Sequence, residues 1–76
     1  MPHRFADRAM RLHYFEQAER HVTQGERRIA EQEERVVHLA RGGHDLTEAR
    51  KLLVNFQASQ ALFIQHRDEI REELER

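Results

Sequence analysis

The chain has no cysteine, one proline and three glycines in 76 residues. Without cysteine there are neither disulfides nor thiolate metal sites, which argues against a bridge-stapled secreted scaffold and fits a reducing compartment. Turn residues and β-branched runs are too few for a sheet. No stretch approaches the roughly 18 consecutive apolar residues of a membrane span, and the first ten residues, with Arg4, Asp7 and Arg8 among them, lack an apolar signal core. A cytoplasmic protein without membrane contact is the expectation. Charge of one sign is also missing. Twelve arginines and one lysine stand against fourteen acids, a formal net charge of -1, so nothing global favours nucleic acid or an anionic membrane.

What the chain does have is charge in quantity, 36% of residues, beside 38% hydrophobic residues, the composition of long helices. The one clear break is Arg41-Gly42-Gly43-His44-Asp45. Gly42 and Gly43 suit the left-handed residue that ends a helix, and Asp45 or Thr47 can cap the amides of the next one. Asp45 is preferred, because its carboxylate also faces the positive end of the helix dipole. The reading is an N-terminal extension over 1–12, either helical or disordered, and a hairpin over 13–76. Helix one covers about 13–41, the turn 42–45, and helix two about 46–75. In the extension, Phe5, Ala9 and Leu12 recur at helical spacing and Pro2 suits a first turn.

Phe15, Val22, Ile29 and Val36 repeat every seven residues, with Ala18, Gly25, Gln32 and Leu39 three positions on. Beyond the turn, Ala49, Phe56, Phe63 and Ile70 keep the same period, joined by Leu52, Leu53, Leu74 and Ile64. Such spacing puts each set in one stripe of a coiled-coil-like helix. In an antiparallel hairpin, residues that face each other have numbers with a constant sum. Phe15–Ile70, Val22–Phe63, Ile29–Phe56 and Val36–Ala49 all sum to 85, and the midpoint falls in Gly42-Gly43. The register that pairs the stripes is therefore the one the turn dictates. Gly25, opposite Gln60, is expected to make room for the rings of Phe56 and Phe63.

Leu46, Leu53 and Ile64 widen the apolar stripe of helix two on one flank, and Leu12 and Val37 lie on a matching flank of helix one. A lone hairpin leaves such flanks wet, and ordering a chain this short costs more than one two-helix interface readily returns. The expected assembly is a homodimer with twofold symmetry, two hairpins forming a four-helix bundle. Another protein as partner meets the same physics.

Six histidines, at 3, 13, 21, 38, 44 and 66, raise the question of metal, yet neither Glu-x-x-His nor His-x-x-x-His occurs. His21 and His66 could approach across the seam, a weaker reading as a metal or pH sensor. Gln32, Gln60, Ser59 and Arg67 are polar residues on or near the apolar stripes, a placement that often fixes register, and Arg67 can pair with Glu19 or extend its guanidinium out to water. Thr23, Thr47, Ser59 and Tyr14 form no nucleophile–base constellation. No catalytic, metal or cofactor residues are assigned, and an enzyme is not expected. The leading function is a non-enzymatic protein–protein interaction module acting as a homodimeric helical bundle. The alternative is a small RNA- or DNA-binding regulator using the arginine-bearing N-terminal segment or Arg27, Arg28 and Arg35. The acids Glu26, Glu31, Glu33 and Glu34, interleaved with those three arginines, argue against it.

Gln17-Ala18-Glu19-Arg20-His21-Val22, Gly25-Glu26-Arg27, Gly43-His44-Asp45, Ala49-Arg50-Lys51-Leu52-Leu53, Phe56 and His66-Arg67-Asp68 together resemble a group of short bacterial proteins known only as hypothetical. The likeness covers about residues 15 to 75. It implies a common helical hairpin, carries no activity or cofactor, and marks His21, Gly25, His44, Asp45 and His66 as the positions to mutate first.

Overall fold

The computed structural model describes residues 4–76, with side chains from Asp7 onward. It is an all-α helical hairpin: α1, Arg4–Arg41, and α2, Thr47–Glu75, run antiparallel, with no strand among the described residues. The Cα trace measures 64 × 16 × 14 Å, a long narrow rod. Helix one begins nine residues earlier than expected, so the described part of segment 1–12 prolongs it. Expectations about Pro2 and the Phe5 side chain lie outside the described residues.

Both helices consist mainly of Ala, Leu, Arg, Glu and Gln, all strong helix formers, and α1 carries its only glycine at Gly25. Gly42 and Gly43 terminate α1. The amide of Gly43 donates to the Ala40 carbonyl at 3.1 Å and that of His44 to the Leu39 carbonyl at 3.0 Å, with Gly43 at φ +72. This Schellman arrangement needs one left-handed residue, and glycine supplies it without a Cβ penalty. His38 and Arg41 complement the negative end of the α1 dipole. At the open end of the hairpin, Arg8 Nη1 donates to the Leu74 carbonyl at 3.1 Å, so one helix helps cap the other.

The residues of α1 withdrawn from solvent are Phe15, Ala18, Val22, Gly25, Ile29, Gln32, Val36 and Leu39. Those of α2 are Leu46, at its threshold, then Ala49, Leu53, Phe56, Gln60, Phe63, Arg67, Ile70 and Leu74, with Asp68 beside Arg67. Apart from Asp68, the intervals alternate three and four throughout, the spacing of an antiparallel two-stranded coiled coil.

Three of the expected placements change. Leu52, expected in the seam, is 42% exposed. Leu46 and Leu53, expected on a dimer flank, are half-buried within the hairpin's own seam. The reason is the reversed direction of α2. Where the second row of α1 lies three residues after the first, its counterpart on α2 lies three residues before, so Gln32 and Leu39 correspond to Leu53 and Leu46 in the register of 85.

Gly25 makes room for a carboxamide, and not for phenyl rings. A methyl built on Gly25 would overlap Gln60 Oε1 and lie 2.6 Å from its Cδ. Gln60, 6% exposed, donates from Nε2 to the Val22 carbonyl at 2.8 Å. Gln32, equally buried, donates from Nε2 to the Ala49 carbonyl at 2.9 Å. Each helix thus inserts one amide side chain onto the backbone of the other. Gln60 Oε1 is buried without a hydrogen-bond partner. Its closest surroundings include the glycine backbone, where only a weak Cα–H···O contact is on offer.

Gly25→Ala is therefore expected to lower stability by about 1–2 kcal/mol net, overpacking outweighing the roughly 1 kcal/mol that alanine gains in helix propensity. In a Gln60→Ala background the same change should become neutral or stabilising. Urea unfolding of the four proteins, followed by circular dichroism at one concentration, measures the coupling. Equal effects in both backgrounds would show that Gly25 and Gln60 are not packed together.

Candidate functional site

The residues singled out for chemistry are mostly engaged in structure or exposed singly. The His21 ring lies on Phe63, with centroids 5.5 Å apart and planes tilted by 46°. His13 lies beside Tyr14 at 6.1 Å. His66, Thr23 and Ser59 are exposed. Among the described residues no three His, Cys, Asp or Glu side chains gather as a metal site. Arg67 does not reach for Glu19. Its Nε and Nη2 donate to Asp68 Oδ1 at 3.1 and 3.0 Å, and Arg71 Nη2 donates to the same oxygen at 2.9 Å. Of the arginines considered for nucleic acid, Arg28 and Arg35 share a shallow recess with Phe56, but Glu31 lines it as well.

At the turn, helix two starts one residue later than expected, with Leu46 as the capping position and no side-chain cap bond. Leu46 is held by the seam, and Asp45 works from one residue further out. Its Oδ1 accepts the Thr47 amide at 3.0 Å and the Thr47 hydroxyl at 2.8 Å, a local Asx-turn. Those two bonds, the backbone amide first, hold the Asp45 carboxyl below its ordinary range, against an opposing effect of desolvation. The His44 ring covers Gly42, whose added methyl would sit 2.7 Å from His44 Cδ2. Beside the turn lies an open groove of about 760 Å³, with Val54 in its wall and Arg50 and Lys51 along it.

The most distinctive surface runs on from that groove along the outside of α2. From Leu52 to Gln65 no residue is charged, in a chain where 36% are. Within that stretch Leu52, Val54, Leu62 and Ile64 are 42, 60, 66 and 37% exposed. Val54 and Leu62 lie opposite the seam, whereas Leu52 and Ile64 lie along its two opposite edges. The remaining members of the expected dimer flank, Leu12 and Val37, are each 48% exposed. They stand 25 residues apart on α1, about 37 Å at 1.5 Å per residue. Glu19, Glu26 and Glu33, all exposed, interrupt the surface between them.

Fold and surface thus define an antiparallel coiled-coil hairpin with one uncharged outer helix face. No protein-family model, curated protein or solved structure matches the chain.

The turn makes a pH prediction. A carboxyl whose folded pKa lies below its unfolded value adds stability that is fully present above the unfolded value, about 3.9 for aspartate, and is lost as pH falls through the folded one. Asp45→Asn should therefore remove part of the fall in stability below about pH 4 and leave its shape above pH 5 unchanged. Urea midpoints for both proteins between pH 2 and 7 measure this. Parallel acid limbs would show that the Thr47 bonds do not bias the carboxyl.

Proposed function

We propose that the chain is a non-enzymatic protein–protein interaction module, a rigid helical hairpin that works as a homodimer of four helices. The observation that carries this reading is the exposed, charge-free stretch of α2 from Leu52 to Gln65, with its four large apolar side chains in water. A soluble helix needs no such charge-free stretch, since charged pairs at spacings of three and four would support it better. The hairpin itself leaves much for a partner to supply. Its buried hydrophobic residues are Ala18, Val22, Ala49 and Ile70, and even these retain 3 to 9% exposure. Its buried amides, Gln32 and Gln60, serve the seam. No helix of the described residues is long and apolar enough to cross a membrane. That and the lack of cysteine support work in a reducing, cytoplasmic setting.

Sedimentation equilibrium across the micromolar to millimolar range should give the mass of two chains at the upper concentrations, with stability rising as protein concentration rises. A fully helical monomer throughout that range would remove the homodimer from the reading.

A further inference from the structure

We propose that the second copy docks on the outer face of α2, its own α2 running antiparallel along it, so that the two α2 helices meet back to back and the two α1 helices lie outermost. This rests on the homodimer reading and specifies the surface and the orientation.

A compact square bundle is the obvious alternative, and the rows beside the seam oppose it. In such a bundle each helix meets two neighbours about a quarter-turn apart, and the row between those two contacts turns toward the centre. On one edge of the hairpin that row is Leu12, Glu19, Glu26, Glu33 and Ala40 of α1 with Arg50, Gln57, Ile64 and Arg71 of α2, all exposed and five of the nine charged. On the other edge it is Tyr14, His21, Arg28 and Arg35 of α1 with Leu52, Ser59, His66 and Glu73 of α2, again exposed, with Arg28, Arg35 and Glu73 charged. Covering either edge with a second hairpin would desolvate several charges per copy, which is costly without well-formed partners.

Opposite the seam, α2 offers a different face. Val54, Asn55, Ala58, Ala61, Leu62 and Gln65 recur at helical spacing, all exposed and none charged. Ala58 and Ala61 at its middle permit close approach of another helix. The ends of this face identify its occupant. Lys51 lies at its N-terminal end, 3.6 Å from Glu48 Oε1, with Arg50 on the edge beside it, and Asp68 and Glu69 lie at its C-terminal end. A parallel copy would set like charge on like. An antiparallel copy sets the basic pair of each chain against the acidic pair of the other, at both ends of one twofold contact. In that register the numbers of facing residues sum to 119, bringing Lys51 to Asp68, Arg50 to Glu69 and Ala58 to Ala61 of the other copy. Asp68 already accepts from Arg67 and Arg71, whereas exposed Glu69 accepts from Gln65 at 3.1 Å. Charge here sets direction and partner more than strength. From Lys51 to Asp68 the face is about 26 Å long, a contact at the small end of specific interfaces, below about 1,200 Å². A reversible dimer is the expected result.

The test is sedimentation of the full chain and four variant samples, with helicity checked by circular dichroism. Arg50→Glu with Lys51→Glu should weaken self-association by about tenfold or more, as should Asp68→Lys with Glu69→Lys, because each leaves like charge facing like. An equimolar mixture of the two should restore a one-to-one dimer near wild-type affinity. Ala58→Arg, a surface change that leaves the seam intact, should also abolish the dimer while keeping hairpin helicity. If the wild type dimerises and Ala58→Arg dimerises equally well, the docking surface is wrong and the homodimer reading stands. If the charge variants stay helical but their mixture remains monomeric, the antiparallel orientation is wrong. A wild type that stays monomeric to millimolar concentration overturns both.

Discussion

The hairpin depends on where one carboxamide can go. Gln60 is large, polar and buried, and the second row of α1 offers it Ala18, Gly25, Gln32 or Leu39 as opposite positions. Only Gly25 lacks a Cβ, and there the amide nitrogen reaches the Val22 carbonyl. Sliding α2 by one heptad either way would keep the large apolar residues matched but drive this side chain into Ala18 or Gln32. A buried amide deprived of its bond costs about 1–3 kcal/mol, so the slip is opposed even where hydrophobic contact is indifferent to it. Gln32 on the Ala49 carbonyl repeats the device from the other helix. Apolar stripes alone specify that two helices pair, and these two amides specify how.

The turn imposes the same register independently. A left-handed Gly43 and its two closing bonds reverse the chain within a few residues. A connection that short leaves little freedom for sliding. Local turn chemistry, heptad spacing and the glycine–glutamine fit thus agree, and consistency of that kind favours one native arrangement over its neighbours. The open end is tied by Arg8 to the Leu74 carbonyl of α2, where the acids Glu72, Glu73 and Glu75 lie at the unfavourable end of the helix dipole.

Much of this was legible in the residues. The seven-residue rows and the double glycine suffice to give two antiparallel helices and their sum of 85. The second row of α2 was less plain, because Leu46, Leu52 and Leu53 are chemically alike and differ only in direction around the helix. Applying the same sum to Gln32 and Leu39 selects Leu53 and Leu46 and leaves Leu52 outside, so the signal was present but lay in the pairing rule, not in composition. The role of Gly25 was hidden for another reason. A glycine facing a gap between two phenylalanines reads as space for rings, and only the rotamer of Gln60 shows which side chain takes the space. Asp45 illustrates the limit of boundary reading. Its chemistry at the turn follows from sequence, while the single-residue offset follows from Leu46 being drawn into the seam.

The two helices are unequal on their outer sides, and that inequality bears on function. Within the seam region of α1, from Phe15 to Leu39, no uncharged run exceeds five residues, whereas α2 runs uncharged from Leu52 to Gln65. Both helices face water opposite the seam, so solubility and helix propensity make the same demand of each. If surface charge did nothing more than support helices, the distribution should be even. Instead α1 carries the interleaved acids and arginines, and α2 combines a charge-free middle with basic residues at one end and acidic residues at the other. Within the hairpin the charged ends make only local pairs, Lys51 with Glu48 and Asp68 with Arg67 and Arg71, and nothing there calls for the charge-free middle. It becomes intelligible when a second surface of reversed polarity lies along it, and the nearest source of such a surface is α2 of another copy.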